Sequence, residues 1–265
     1  MKYYVVDAFT DQLFRGNPAG VCIMDQWPDS GLMQNIAREN NLSETAFLVK
    51  RDGYYGLRWF TPEVEVDLCG HATLASAHIL FCLYEQSLDE LWFQTMSGLM
   101  TVSKKGDSLQ MNFPARPPTR TRDFHALRDA FAAVYEGVYR GLDFMVVFES
   151  EAQVRSLRPD FAALKRLKDE AGADSGALGV IVTARGEDCD FVCRFFAPGA
   201  GINEDPATGR AYCTLIPYWS GILGKASMKA RQLSERTGEI DCHLSGDRVL
   251  IGGKAALYLS GEIYA

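Results

Sequence analysis

Apolar positions follow one pattern twice along this chain. Residues 54–60 and 190–196 carry the β-branched and aromatic side chains of strands. Acidic and glycine-bearing loops follow, and then runs that are apolar almost all the way round a helix, 72–84 in the first half and from Ala211 onward in the second. A helix without a polar face has to be enclosed, which predicts that each lies inside a curved sheet. Pro217 is expected to kink or shorten the second one. Between the halves, residues 114–122 (PARPPTRTR) read as a linker, because proline removes amide donors and favours extended neighbours. A hairpin is expected before it, with apolar Leu99 to Val102, a turn at Gly106 and Asp107, then alternating Leu109, Met111 and Phe113. After it, Asp123 opens helical spacing at Phe124, Leu127, Phe131 and Val134.

Short motifs recur in the same order. RWFTP (58–62) returns as RFFAP (194–198), CGHA (69–72) as TGRA (208–211), and Pro28-Asp29 before one amphipathic helix as Pro159-Asp160 before another. Tandem duplication of a domain-sized unit explains the three together. The expected fold is α+β, with two pseudo-symmetric lobes, each a curved mixed sheet wrapped around a central buried helix. Residues 1–115 form the N-terminal lobe, which the last strand (257–265) could join, and 116–256 the C-terminal lobe. A cleft is expected between them, faced by the two helix N-termini.

Composition narrows the function. Hydrophobic residues make up 47% and charged residues 23%, enough apolar surface to exclude a largely disordered chain. With 27 basic against 34 acidic residues the net charge is −7, the opposite of what a nucleic-acid binder carries. Seven cysteines, an N-terminus interrupted early by Asp7 and Asp11, and no apolar run long enough for a bilayer point to a cytoplasmic protein with free thiols and no membrane partner.

The duplicated corners carry the candidate chemistry. A helix N-terminus presents unpaired amides and partial positive charge, a ready seat for a carboxylate. Asp67 and Asp205 suit N-cap positions, and Pro206 suits a first turn. Gly70 and Gly209 would let an anion approach the backbone, beside Cys69 in one half and Thr208 in the other. Taken singly, these residues could equally be plain helix caps. Glu44, in NNLSETAFLV, stands at the mouth of an apolar strand, where a carboxylate partly withdrawn from water can abstract a proton. The alternative is a helix-end glutamate facing water. Aligning the halves places Ser175 at the corresponding position, so the duplication supplies one such acid. His71 could hold a carbonyl or carboxyl group or shuttle a proton, whereas His78 reads as a core histidine. No metal site is expected: His71 and His78 stand roughly 10 Å apart along a helix, and Cys189 and Cys193 roughly 13 Å apart along a strand. PGAGINEDPATG has the spacing of neither nucleotide-binding glycine motif.

Four segments, DAFTDQLFRGNPAGV (7–21), LSETAF (42–47), FTPEVEVDLCGHAT (60–73) and FFAPGAGINEDPATG (195–209), together resemble the phenazine-biosynthesis PhzF-like family, related to diaminopimelate epimerase. The resemblance implies two lobes, each a sheet curled around a helix, and a homodimer. It also implies a cofactor-free isomerase like the family's archetype, in which a glutamate removes a carbon-bound proton from a dihydro-hydroxyanthranilate and returns it elsewhere on the conjugated ring. The family glutamate matches Glu44, its glycine–histidine pair Gly70 and His71, and its acidic partner Asp205. The chain departs from the pattern at Arg210, where the family has serine, and in residues 232–240, which lack a frequent QG…GR pattern. An Arg210 in the cleft would bind a second carboxylate or a phosphate and change the substrate. The expected function is cofactor-independent proton transfer on a small carboxylated, possibly cyclic molecule, with no metal. Two other readings stand beside it. One is a two-cysteine racemase, which Cys69 would begin but Thr208 cannot complete; the other is a non-catalytic small-ligand-binding protein on the same frame.

Overall fold

A computed structural model describes residues 1–172 and 176–265. The chain divides into two compact units, 1–112 with 251–265, and 113–250, so its last residues return to the first unit. Sequence spacing predicts those boundaries at 115/116 and 256/257, a few residues later. The architecture is α+β with mixed sheets.

In the first unit, strand β1 (Lys2–Ala8) pairs antiparallel with β2 (Asn17–Met24). The turn between them needs Gly16: its φ is +61°, and a Cβ there would lie 2.0 Å from the Ala8 carbonyl oxygen. Helix α1 (Ser30–Asn40) starts where the Asp29 carboxylate accepts from the Gly31 amide and ends at Asn41, which takes the left-handed conformation (φ 50°). This tight exit delivers the chain into β3 (Glu44–Lys50), parallel to β2, with β4 (Tyr55–Phe60) antiparallel beside it. A short β5 (Glu65–Val66) folds back on β4 and leads into α2 (Gly70–Ile79), which continues as a π-helical turn over Leu80–Tyr84. Strands β6 (Glu90–Thr95), β7 (Gly98–Lys105) and β8 (Ser108–Pro114) complete the run, β6 being parallel to β4. The expected hairpin is β7–β8, with Leu109, Met111 and Phe113 inward.

Helix α2 packs on β1, β2, β3 and the last strand of the chain, and every residue from His71 to Ile79 except His78 is buried. Its two buried hydroxyls need no outside partner. Thr73 Oγ1 donates to the Cys69 carbonyl at 2.6 Å and Ser76 Oγ to the Ala72 carbonyl at 2.7 Å.

The second unit begins with β9 (Thr119–Arg120), α3 (His125–Phe131), β10 (Gly137–Arg140) and β11 (Phe144–Val147). Val134 lies beyond α3 and is 85% exposed, so the helical spacing stops one turn earlier than expected. Helices α4 (Glu151–Ser156) and α5 (Phe161–Ala171) follow, the latter capped by Asp160, which accepts from two amides. Then come β12 (Val180–Arg185), β13 (Phe191–Ala197), β14 (Ile202–Asp205), α6 (Gly209–Leu223), β15 (Ser227–Gln232), β16 (Gly238–Ser245) and β17 (Arg248–Gly253). Strand β18 (Ala255–Glu262) pairs with β1 in the first unit.

The pairings of the first unit recur in the second: β11–β12 parallel, β12–β13 and β13–β14 antiparallel, β13–β15 parallel, β15–β16 antiparallel. Of the kink or shortening expected at Pro217, the shortening does not occur: α6 runs through it to Leu223. The carbonyl its missing amide leaves open, on Cys213, accepts instead from the Arg116 amide at 2.8 Å. Among the described residues no helix is long and apolar enough to cross a membrane.

Candidate active site

Glu44 opens β3 opposite Ala19 of β2, and the start of α2 meets it there. Nε2 of His71 lies 3.1 Å from Oε2 of Glu44, with side-chain exposures of only 6% and 15%. The sulfur of Cys69, the N-cap residue of α2, lies 3.5 Å from Nδ1 of the same ring. Cys69, His71 and Glu44 thus form one contiguous chain of proton-bearing groups, and Gly70 sits inside it as the first residue of the helix.

Electrostatics follows from that packing. Burial alone favours a neutral imidazole, but the Glu44 carboxylate 3.1 Å away opposes it, and the His71 pKa is raised above its ordinary value. The Cys69 thiol is pushed up, first by burial and then by the negative charge of Glu44, so it stays protonated near neutrality. The site presents a carboxylate, an imidazolium and a neutral thiol beside the first-turn amides of a helix that no side chain caps.

Asp67 and Asp205 are not the caps that their spacing implied. The N-cap residues are Cys69 and Thr208, neither making a side-chain cap bond, and Pro206 precedes α6 rather than lying in its first turn. The caps come two residues after Asp67 and three after Asp205, both in extended conformation. Asp67 is exposed, while Asp205 is half-buried and its Oδ2 accepts the Thr208 hydroxyl. Gln232 binds this corner together. Its Oε1 accepts the Thr208 amide at 2.9 Å, and its Nε2 donates to the Asp205 carbonyl at 2.7 Å and to Thr208 Oγ1 at 3.1 Å. Sequence reasoning gave Gln232 no role. Its signal was a polar residue at an inward position of alternating β15, after Met228 and Ala230.

Arg210 is already engaged. Its Nε donates to Oδ2 of Asp143 at 2.9 Å, and Asp143, fully buried, also accepts from the Leu178 and Gly179 amides. The guanidinium thus closes an internal pair within the second unit. Gly209 is buried at the start of α6.

Ser175, aligned with Glu44 by sequence, lies outside the described residues. Strand register identifies another counterpart. Thr45 pairs with Phe60 and Val180 with Phe196, and these phenylalanines occupy the same place in RWF and RFF. The residue before Val180 is Gly179, where a Cβ would lie 2.4 Å from the Phe196 carbonyl oxygen. No side chain fits there.

Comparison with known proteins agrees with the geometry. The model of the phenazine biosynthesis-like proteins (PhzC-PhzF) matches residues 6–261. An uncharacterized isomerase of Pseudomonas aeruginosa is 48% identical over 264 residues, spanning 100% of this chain and 99% of the relative. A crystal structure of a PhzF-family phenazine biosynthesis protein from Enterococcus faecalis superposes with a TM-score of 0.94 at 45% identity, covering 100% of this chain and 99% of that one. A phenazine biosynthesis PhzC/PhzF protein from Clostridium difficile gives 0.93 at 44% identity with both chains fully covered. With residues 6–261 matched by the family model and a relative 48% identical over its whole length, the chain belongs to the phenazine biosynthesis-like protein family.

Proposed function

We propose that this protein is a cofactor-independent isomerase that moves a proton between carbons of a small carboxylated, possibly cyclic substrate. The observation that carries the reading is the 3.1 Å contact between His71 Nε2 and Glu44 at the uncapped start of α2. Glu44 takes the proton: the carbon–hydrogen bond breaks, an oxygen–hydrogen bond forms on the carboxylate, and the electron pair passes into the adjacent conjugated system. Negative charge builds on the substrate's acceptor oxygen, which the His71 imidazolium and the first-turn amides of α2 stabilise. Glu44 then returns the proton to a different carbon, which restores the enzyme without any redox partner.

Asp205, held by Thr208 and Gln232, is a carboxylate of the second unit able to accept from an amino or hydroxyl group. Arg210, committed to Asp143, is assigned to the frame rather than to the substrate. The recurring pairings and motifs support descent of both units from one duplicated ancestor, and the working assembly is proposed to be a homodimer, which light scattering reads. A thiol racemase is disfavoured because the Cys69 pKa is raised and its counterpart, Thr208, is a far weaker acid.

The test is hydrogen exchange in heavy water on a dihydro-hydroxyanthranilate and a panel of small cyclic amino acids, read by mass spectrometry. Wild type should incorporate deuterium at carbon, and Glu44→Gln should slow this by about 10²–10⁴-fold. Exchange undiminished in Glu44→Gln removes the mechanism. Ligand-dependent thermal stabilisation without exchange on any compound points to a binding protein instead.

A further inference from the structure

Cys69 has no part in the proton transfer proposed above, yet its sulfur is built into the same cluster. Sγ stands 3.5 Å from Nδ1 and 4.0 Å from Nε2 of His71, Nε2 stands 3.1 Å from Glu44 Oε2, and the three candidate ligand atoms all lie within 4.8 Å of one another. Tetrahedral zinc, with bonds of about 2.3 Å to sulfur and about 2.0–2.2 Å to nitrogen and oxygen, separates its ligand atoms by roughly 3.4–3.6 Å. One ion takes one ring nitrogen: through Nε2 the carboxylate oxygen stands at 3.1 Å and the sulfur at 4.0 Å, so the Cys69 side chain has to swing toward Nε2 for the ion to be shared. The ligands are held by regular backbone: Glu44 is the first residue of a strand, Cys69 caps a helix without spending its sulfur on a cap bond, and His71 lies in the first turn. Sulfur, imidazole and carboxylate together select a borderline-soft cation over magnesium or calcium.

We propose that Glu44, Cys69 and His71 form a three-ligand site for a thiophilic divalent cation of the zinc type, whose fourth position stays open to water or substrate. Binding forms metal–sulfur, metal–nitrogen and metal–oxygen bonds and releases the thiol and imidazolium protons to solvent, with no change of oxidation state. A ligated Glu44 cannot accept a proton from carbon, so occupancy switches the isomerase off reversibly. The binding itself is independent of the isomerase reading and is tested without any substrate.

Chelator-treated protein is titrated with Zn²⁺ by calorimetry and with Cd²⁺ by the ultraviolet thiolate-to-cadmium band. Wild type should take up one ion per chain with the band present. Cys69→Ser should abolish the band, and His71→Asn and Glu44→Gln should each weaken binding at least about ten-fold, the scale that even outer-shell changes produce. Circular dichroism establishes that each variant is folded, and His71→Asn with Glu44→Gln carries the test should Cys69→Ser fail to fold. Cys82, exposed and 3.9 Å from both ring nitrogens of His78, is the competing thiol, so Cys82→Ser should leave the band intact. Absence of stoichiometric binding, a band that survives Cys69→Ser, or a band lost in Cys82→Ser overturns the proposal.

Discussion

The helix that starts at Gly70 and the one that starts at Gly209 begin alike and end up with different chemistry. Each follows an antiparallel turn whose two arms are clamped by an arginine from the same motif: Arg58 grips Glu65 through two bonds of 2.6 Å, and Arg194 grips Glu204 through bonds of 2.7 and 2.9 Å. Each helix places a cationic side chain second, His71 or Arg210, against a carboxylate. The carboxylates come from different strands. Glu44 opens β3, whereas Asp143 precedes β11, because Gly179 at the β12 position leaves no room for a side chain. Imidazole against a partly reachable glutamate can exchange protons. Guanidinium, which stays charged, against a fully buried aspartate cannot. The comparison separates what the shared motifs do, which is to build the frame, from the few substitutions that set a titratable imidazole–carboxylate pair in one corner and a fixed guanidinium–aspartate pair in the other.

The largest effect that would sharpen this contrast lies in the two clamps. Arg194 is 7% exposed and also donates to the Val154 and Leu157 carbonyls at 3.1 and 2.9 Å, so Arg194→Met strands two carbonyls as well as the half-buried Glu204. It should cost about 3–5 kcal/mol in urea unfolding. Arg58 is about a quarter exposed and, besides Glu65, donates among the described residues only to the Ser30 hydroxyl, so Arg58→Met should cost only about 1–2 kcal/mol. Equal losses would mean that the clamps are energetically alike and that burial is not what distinguishes the units. Next in size is Asp143→Ala, which leaves Arg210 and two amides without their acceptor and should cost about 2–4 kcal/mol, discounted because Arg210 is 27% exposed. Deuterium exchange at carbon should survive that change, and its loss would return Arg210 to the reacting centre.

Much of this frame was legible in the sequence, because apolar periodicity reports directly on burial. The strand–loop–helix succession in each half, the all-round apolar α2 and α6, and the Pro-Asp helix starts all depend on residues close together in the chain. Glu44 was legible for a different reason, being an acid where β3 enters the core. What stayed hidden depends on partners far along the chain. Arg58 and Arg194 read as strand residues, since nothing local marks Glu65 and Glu204 as their anchors. Asp67 and Asp205 had cap spacing, but capping requires helical backbone two residues later and the chain delays it. The counterpart of Glu44 was misplaced by four residues because the loop before β12 carries no motif, and only hydrogen-bonded register anchors it at Gly179.

Gly179 therefore gives a smaller and more pointed test. Gly179→Ala should cost about 1–3 kcal/mol, from a methyl forced against the Phe196 carbonyl, and should leave exchange at carbon intact. A neutral result would show that the second unit could accept a side chain there, and that its missing acid is not a matter of space.

The smallest effect concerns the proton on His71. Its pKa is raised in the folded protein, so the native state holds that proton more tightly than the unfolded chain does. The stabilisation it contributes is complete below about pH 6.5 and disappears as pH climbs through the raised value, each unit of the raise being worth about 1.4 kcal/mol. The stability difference between wild type and His71→Asn should accordingly shrink with rising pH, whereas Arg210→Met should show no such trend, because a guanidinium does not titrate in that range. Glu44→Gln removes the carboxylate that opposes burial, so nitrogen NMR should find the His71 pKa lower in that variant. An imidazole that titrates below 6.5 in wild type would show that burial dominates, and the two helix starts would then differ in the size of their cation but not in its capacity to hold and release a proton.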